Sequence, residues 1–291
     1  MKRISKLHWT CGDTTVELGV RTQVMGILNV TPDSFSDGGH FLDLERAVAH
    51  GLRMSEEGAD ILDVGGESTR PGAAAVSEEE ELRRVIPVVR ELARRTDRLI
   101  SIDTCKAAVA ERAVEAGARI INDVTALTGD SRMASVAAAS RAGVVLMHMR
   151  GTPRTMQDDP RYDDVVAEVV EYLQARVNAA VEAGVRFEAL AVDPGIGFGK
   201  TVEHNLDLLA QLERFAALER PILVGLSRKS FIGRITGREV HDRTIASVAG
   251  AVYAVQRGAH LVRVHDVKET CEALRLVDIL CSREAENEGV S

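Results

Sequence analysis

Aromatic side chains are scarce in this 291-residue chain: one Trp, three Tyr and six Phe, 3% of the total. So few rings exclude an extended stacking platform for single-stranded nucleic acid. An excess of positive charge is missing too. A formal net charge of -8 and a pI near 5.6 exclude a general phosphate-backbone binder, so no nucleic-acid partner is expected. An anionic substrate would need a local cationic pocket. The four cysteines, Cys11, Cys105, Cys271 and Cys281, are too scattered for a disulfide framework and form no C-x-x-C pair, which fits a reducing, cytoplasmic setting. The basic start, Met1 to Lys6, leads into His8-Trp9-Thr10-Cys11-Gly12-Asp13 and not into the apolar stretch of a secretory signal. No apolar run reaches about 18 residues, so no membrane span is expected.

What is present is a repeat of pattern. After a short hairpin expected over residues 4–20, with a turn at Gly12-Asp13, Val/Ile/Leu-rich runs occur at 24–28, 61–64, 99–102, 119–122, 144–147, 190–192, 222–225 and 261–264. They lack period-two alternation, as strands buried on both faces of a parallel sheet do. Between them lie helical segments such as 43–57, 78–95, 106–116, 163–183 and 243–257, with Gly58, Gly117, Gly143, Gly184 and Gly258 as expected C-terminal caps. Length alone allows two domains. Eight βα units without a linker favour one α/β domain over residues 1–291, a (β/α)8 TIM barrel with a short N-terminal β-hairpin, with a doubly wound open sheet as the alternative. The polar tail, 282–291, is expected to fray.

Each strand runs into polar residues: Asn29, Asp63, Asp103, Asn122-Asp123, His148, Asp193, Ser227-Arg228-Lys229, and Arg263 with His265. Any one of these reads as a cap or turn, but in a barrel all eight strand ends meet on the rim that carries active sites. Asp193 to Thr201 (DPGIGFGKT) is not a P-loop, because that spacing needs glycine where Pro194 stands; Lys200 reads as a solvated loop lysine. Two loops dense in turn formers, 29–39 and 66–72, read equally as lids over a site or as solvent-facing connections. Ser227 to Ser230 opens a helix, a position suited to an anion, although Arg228 alone reads as a surface base. His148 reads as a satisfied strand-end histidine and Cys105 as a small buried hydrophobe.

Met25 to Gly39 (MGILNVTPDSFSDGG) and Gly58 to Ala73 (GADILDVGGESTRPGA) resemble the two signature segments of the dihydropteroate synthases. SIDT at 101–104, INDV at 121–124, LMHM at 146–149, DPGIGFGK at 193–200, SRKSF at 227–231 and RVHDV at 263–267 continue the resemblance over roughly residues 20 to 280. It implies a transferase of folate biosynthesis that condenses (7,8-dihydropterin-6-yl)methyl diphosphate with 4-aminobenzoate. Asp103, Asn122 and Asp193 would take the pterin ring nitrogens and amine, with Lys229 on the carbonyl side and Met147 and Phe198 lining the slot. Arg263 would cover the ring and, with Asn29, Arg70 and His265, hold the diphosphate. Mg²⁺ is the implied cation, with Asn29 as its ligand. Asp33, Phe35, Thr69, Arg70 and Pro71 on the two loops, with Lys229 and Ser227, would form the aminobenzoate slot, where sulfonamides compete; a homodimer is implied. The chain departs from the family at Val124 to Thr128 (VTALT), where Ser-Gly is commoner, and Cys105 stands at a variable position. A catalytically silent paralogue that only binds, or a pterin-binding methyltransferase, are the competing readings.

Overall fold

The computed structural model describes residues 6–31, 39–68, 72–73, 75–152 and 155–288, with the side chains of 39–42 and 284–288 excepted. Strands β1 (Leu7–Cys11) and β2 (Thr14–Leu18) form the expected antiparallel hairpin, turning at Gly12 with φ +65°. Eight further strands then make one parallel sheet: β3 (Gln23–Asn29), β4 (Ile61–Gly65), β5 (Leu99–Asp103), β6 (Ile120–Asp123), β7 (Gly143–Met147), β8 (Leu190–Asp193), β9 (Leu223–Val224) and β10 (Leu261–Val264). The hydrogen-bonded order is β8-β7-β6-β5-β4-β3-β10-β9. A parallel bridge between Val192 and Ile222 joins the two ends, so the sheet closes as the (β/α)8 barrel expected from the sequence.

The helices α1 (Gly39–Glu56), α2 (Glu78–Arg95), α3 (Ala107–Ala116), α4 (Met133–Ser140), α5 (Val165–Glu182), α6 (Val202–Ala210), α7 (Ser230–Thr236), α8 (Thr244–Gln256) and α9 (Val267–Glu288) follow the strands in turn, with both α7 and α8 between β9 and β10. Outward residues such as Leu28, Leu62, Ile100, Ile102 and Val144 pack beneath them in one apolar cluster. Inward residues at the N-terminal ends of the strands, Met25, Ile61, Ile120, Val145, Ala191, Leu223 and Leu261, form a second cluster with Trp9, Cys11 and Leu18. The hairpin is therefore a plug. Trp9 is fully buried and donates its indole N–H to Ala189 O at 2.8 Å, which seals that mouth and leaves the C-terminal end as the open one.

One local expectation changes. Gly143 is not a helix cap: α4 ends on Arg141, left-handed at φ +55°, and Gly143 opens β7, where a Cβ would stand 2.5 Å from Cys11 Sγ. The C-terminal helix runs from Val267 to Glu288; residues 289–291 lie outside the described residues.

Candidate active site

Alternation along each strand sends every second residue into the barrel. On β3 these are Met25, Ile27 and Asn29; on β4, Ile61, Asp63 and Gly65; on β5, Leu99, Ser101 and Asp103; on β10, Leu261, Arg263 and then His265. Each row is apolar at the plugged end and polar at the open end. Register completes the convergence, since Gly65 pairs with Asp103, Asp103 with Asn122, and Met147 with Asp193.

At the centre lies Arg263. Its Nε donates to Asp63 Oδ2 at 2.6 Å and a terminal nitrogen to Asp103 Oδ2 at 2.6 Å, while Asn122 Nδ2 donates to the same Asp63 oxygen at 3.1 Å. Asp63 is fully buried, and its other carboxylate oxygen has no partner among the described residues. Burial pushes the Asp103 carboxyl up to about 7, against the pull of Arg263 and with the push of Asp63. Burial works against the Arg263 guanidinium, yet Asp63 and Asp103 hold its pKa above the ordinary value.

Asp193, at the end of β8, accepts from Gly195 N at 2.7 Å; burial raises its pKa and Lys229 opposes that. Lys229 stands before α7, donates to Ile196 O and lies 4.2 Å from the centre of the Phe198 ring. Its pKa is pushed down to about 7, by burial first, with Asp193 resisting. Gly197 makes the approach possible: it has φ +82°, and a Cβ there would meet Lys229 Cδ at 2.7 Å. On the far side Ser227 Oγ accepts from His265 N at 3.2 Å and stands 3.3 Å from His265 Nδ1.

Asn29, Met147, Asp103, Asn122, Asp193, Phe198, Ser227, Lys229, Arg263 and His265 thus gather at one end of the barrel, as their strand ends require. Asp33, Phe35, Thr69, Arg70 and Pro71 lie outside the described residues. Several expectations need correction. Lys200 is not solvated: it is 2% exposed, with Nζ 2.9 Å from each of His148 Nδ1, Gly195 O and Phe198 O. Arg228 is not a free surface base but pairs with Asp266. Ser227 is not the cap of α7; Lys229 holds that position, without a side-chain cap. Cys105 is only half-buried. His148 is buried and satisfied, as expected.

Asp63 went unassigned in sequence, although its parity on β4 matches that of Asp103 on β5. Also unforeseen is Lys106, which donates to both Glu67 and the buried Glu81, while Glu67 accepts from Val76 N at 3.1 Å and so ties down the connection after β4. The departure at Val124 to Thr128 has a structural reading. Ala126 (φ +51°) and Leu127 (φ +63°) are consecutive left-handed residues held by Asp123, which accepts from Thr125 N, Thr125 Oγ1 and Leu127 N. Glycine suits such a turn better.

Among the described residues no group of three or more His, Cys, Asp or Glu could hold a metal. A cation here would take few protein oxygens, and the half-buried Asn29 amide at the end of β3 supplies one. That fits Mg²⁺, which keeps most of its shell as water or substrate oxygen. A cavity of about 580 Å³ opens elsewhere, at the N-terminal end beside Thr22, Asp60, Arg98 and α9, away from this chemistry. No helix is long and apolar enough to cross a membrane among the described residues.

What the rim can do follows from its groups. Buried Asp103, Asp193 and Asn122 offer acceptors and the half-buried Lys229 a donor, so a flat heterocycle with an N–H edge is selected against rings that leave them unpaired. Residues 25–265 match the family profile of pterin binding enzymes. The dihydropteroate synthase of Escherichia coli strain K12 is 52% identical over 261 residues, covering 89% of this chain and 92% of the relative. The dihydropteroate synthase of Xanthomonas albilineans with 4-aminobenzoic acid superposes with a TM-score of 0.89 at 52% identity, over 95% of this chain and 98% of that one. The same enzyme in complex with 7,8-dihydropteroate gives 0.85 at 49% identity, over 94% and 98%. The chain belongs to the dihydropteroate synthase family.

Proposed function

We propose that the chain condenses (7,8-dihydropterin-6-yl)methyl diphosphate with 4-aminobenzoate to give 7,8-dihydropteroate and diphosphate, a step of folate biosynthesis. The observation that carries this is the constellation of buried Asp103, Asn122 and Asp193 with half-buried Lys229 around Arg263 on one rim. The three acceptors take the ring N–H groups and amine, and Lys229, resting on Phe198, donates to the carbonyl side. Arg263 spends Nε and one terminal nitrogen on Asp63 and Asp103. Its fixed charge faces the diphosphate together with His265, more than it covers the ring.

The methylene C–O bond breaks and diphosphate leaves with the bonding pair, giving a pterin-methyl cation. The amine lone pair of 4-aminobenzoate then forms the C–N bond and the nitrogen releases a proton. Ionising the electrophile first suits a weak aromatic amine. Arg263 and His265 stabilise the departing charge in a water-poor site. Asn29 would hold Mg²⁺, which when bound supplies further charge neutralisation at the diphosphate. Asp33, Phe35, Thr69, Arg70 and Pro71 close the aminobenzoate slot with Ser227, and sulfonamides compete for it.

The complete set of matched polar residues weighs against a silent paralogue. Four free cysteines accord with a cytoplasmic enzyme. Exposed Ile235, Ile245 and Tyr253 on the neighbouring helices α7 and α8 offer an apolar face for a homodimer, which sedimentation would detect. The deciding assay is diphosphate release from the pterin substrate with Mg²⁺, with and without 4-aminobenzoate. Folded protein that shows no aminobenzoate-dependent turnover would refute the proposal.

A further inference from the structure

We propose that Lys200 is a positioning residue for pterin recognition: from beneath the site it fixes the loop that orients Asp193 and Phe198. The inference rests on the pterin assignment of Asp193. Lys200 is 2% exposed, and three acceptors surround its Nζ at 2.9 Å: His148 Nδ1, Gly195 O and Phe198 O. Three N–H donors meeting three acceptors is the complement of an ammonium. None of the three is charged, so the cage is a costly place for a cation and an apolar side chain would fill it more cheaply. Scaffolding alone therefore does not account for a lysine here.

The partners show what it does. Gly195 and Phe198 stand near the two ends of the loop after β8, and His148 directly follows β7. Nζ thus draws both parts of the loop onto the neighbouring strand end. The Gly195 peptide it holds by the carbonyl donates its own N–H to Asp193 Oδ1 at 2.7 Å. Gly195 has φ +68° and lies so close to the His148 carbonyl that no Cβ fits. Phe198, held by its carbonyl, carries the ring beneath the Lys229 ammonium at 4.2 Å. His148 is itself fixed: its N–H donates to Asp193 O at 3.0 Å and its ring packs edge-on against Tyr172 at 4.8 Å between centroids. Burial holds the His148 pKa down to about 2, so the ring is neutral and Nδ1 can accept. Burial also drives the Lys200 pKa far below its ordinary value, with the charge of Asp193 opposing the shift.

The test uses Lys200→Met, which keeps length and volume, and His148→Phe, which removes the Nδ1 acceptor and keeps a ring. The probe is 6-hydroxymethylpterin, titrated calorimetrically, alongside steady-state kinetics for both substrates and a melting curve. For folded Lys200→Met the expected result is a rise of about tenfold in the probe Kd, the scale of one lost hydrogen bond to a charged group. The KM for the pterin substrate should rise with it, while the KM for 4-aminobenzoate stays within about twofold. A purely structural lysine would lower the melting temperature without this split. A rise in Kd of less than about threefold in folded Lys200→Met overturns the proposal. Should that variant not fold, His148→Phe decides by the same threshold. Asp193→Asn runs in parallel: if it keeps its affinity for the probe, the pterin assignment itself is wrong, whatever Lys200 does.

Discussion

Replacing Asp63 by Asn tests the electrostatic logic of the rim at its deepest point. One carboxylate oxygen accepts both from Arg263 Nε at 2.6 Å and from Asn122 Nδ2 at 3.1 Å, while the other has no partner among the described residues. An asparagine with its amide oxygen in the first position keeps both bonds, and its NH2 occupies the place of the unpartnered oxygen. Only the charge is lost. Removing a charge about 4 Å from another forfeits at most about 4 kcal/mol at an effective dielectric near 20, offset by the desolvation no longer borne by a buried carboxylate. A loss of about 1 to 2 kcal/mol is therefore expected, against about 3 to 5 kcal/mol for Asp63→Ala, which strands the guanidinium.

The sharper consequence falls on Asp103. Its carboxyl stands at about 7 through burial, eased by Arg263 and worsened by the negative charge of Asp63. Taking that charge away frees Arg263 to favour Asp103 alone, so its pKa must fall. The pterin edge needs Asp103 as an acceptor, so kcat/KM for the pterin substrate drops as pH falls through the pKa of the free enzyme. In the parent this acid limb lies near pH 7; in Asp63→Asn it moves to lower pH. The assay is diphosphate release at low pterin concentration across pH 5 to 9. An acid limb that stays in place or moves upward would refute the reasoning.

Four further outcomes follow from single features. The alkaline limb of the same profile should also lie near pH 7, because Lys229 donates only when protonated and burial brings its pKa down to about 7; Lys229→Met should abolish that limb along with most activity. Chelation of Mg²⁺ should slow turnover while leaving the thermal midpoint of the substrate-free protein unchanged, since Asn29 alone does not make a folding metal site. Trp9→Ala should destabilise by about 3 to 5 kcal/mol, read as a fall in the denaturant midpoint, yet leave kcat unchanged where the protein is folded, because Trp9 seals the opposite mouth. Arg141→Gly should stabilise by about 1 kcal/mol, seen as a higher melting temperature, because Arg141 is exposed and caps α4 at φ +55°.

The barrel was legible because its signal is made by topology. Strands covered on both faces carry continuous apolar runs, and the runs at 61–64, 99–102 and 261–264 fall within β4, β5 and β10. Polar residues that end such runs must share a rim once the sheet closes, and Asp103, Asn122, Asp193 and Arg263 duly meet. Lys200 was illegible for the opposite reason. Its loop is rich in glycine, which locally reads as exposed, and nothing in DPGIGFGK shows that left-handed turns at Gly195, Gly197 and Gly199 fold the segment back over its own lysine. Burial in that case is set by a strand 52 residues away, through His148.

Asp63 shows where a finer reading of sequence was possible. Inward positions within the barrel alternate, so the residue that ends a strand and the one two before it face the same interior. Counting back from Gly65 gives Asp63, and from Asp103 gives Ser101; the register of β4 with β5 sets Asp63 directly beside Ser101 and one layer beneath Asp103. A carboxylate so fully buried acts on the site through a partner. It can only hold something, and the only cation on the facing strands with the same parity is Arg263. Alternation turns both residues into the barrel, and the bond from Arg263 Nε to Asp63 joins them across β3. Arg263 is held at once by Asp63 and Asp103, so its place on the rim is set by the protein's own carboxylates. A site prepared in this way spends none of its binding energy on assembling charge when the pterin arrives.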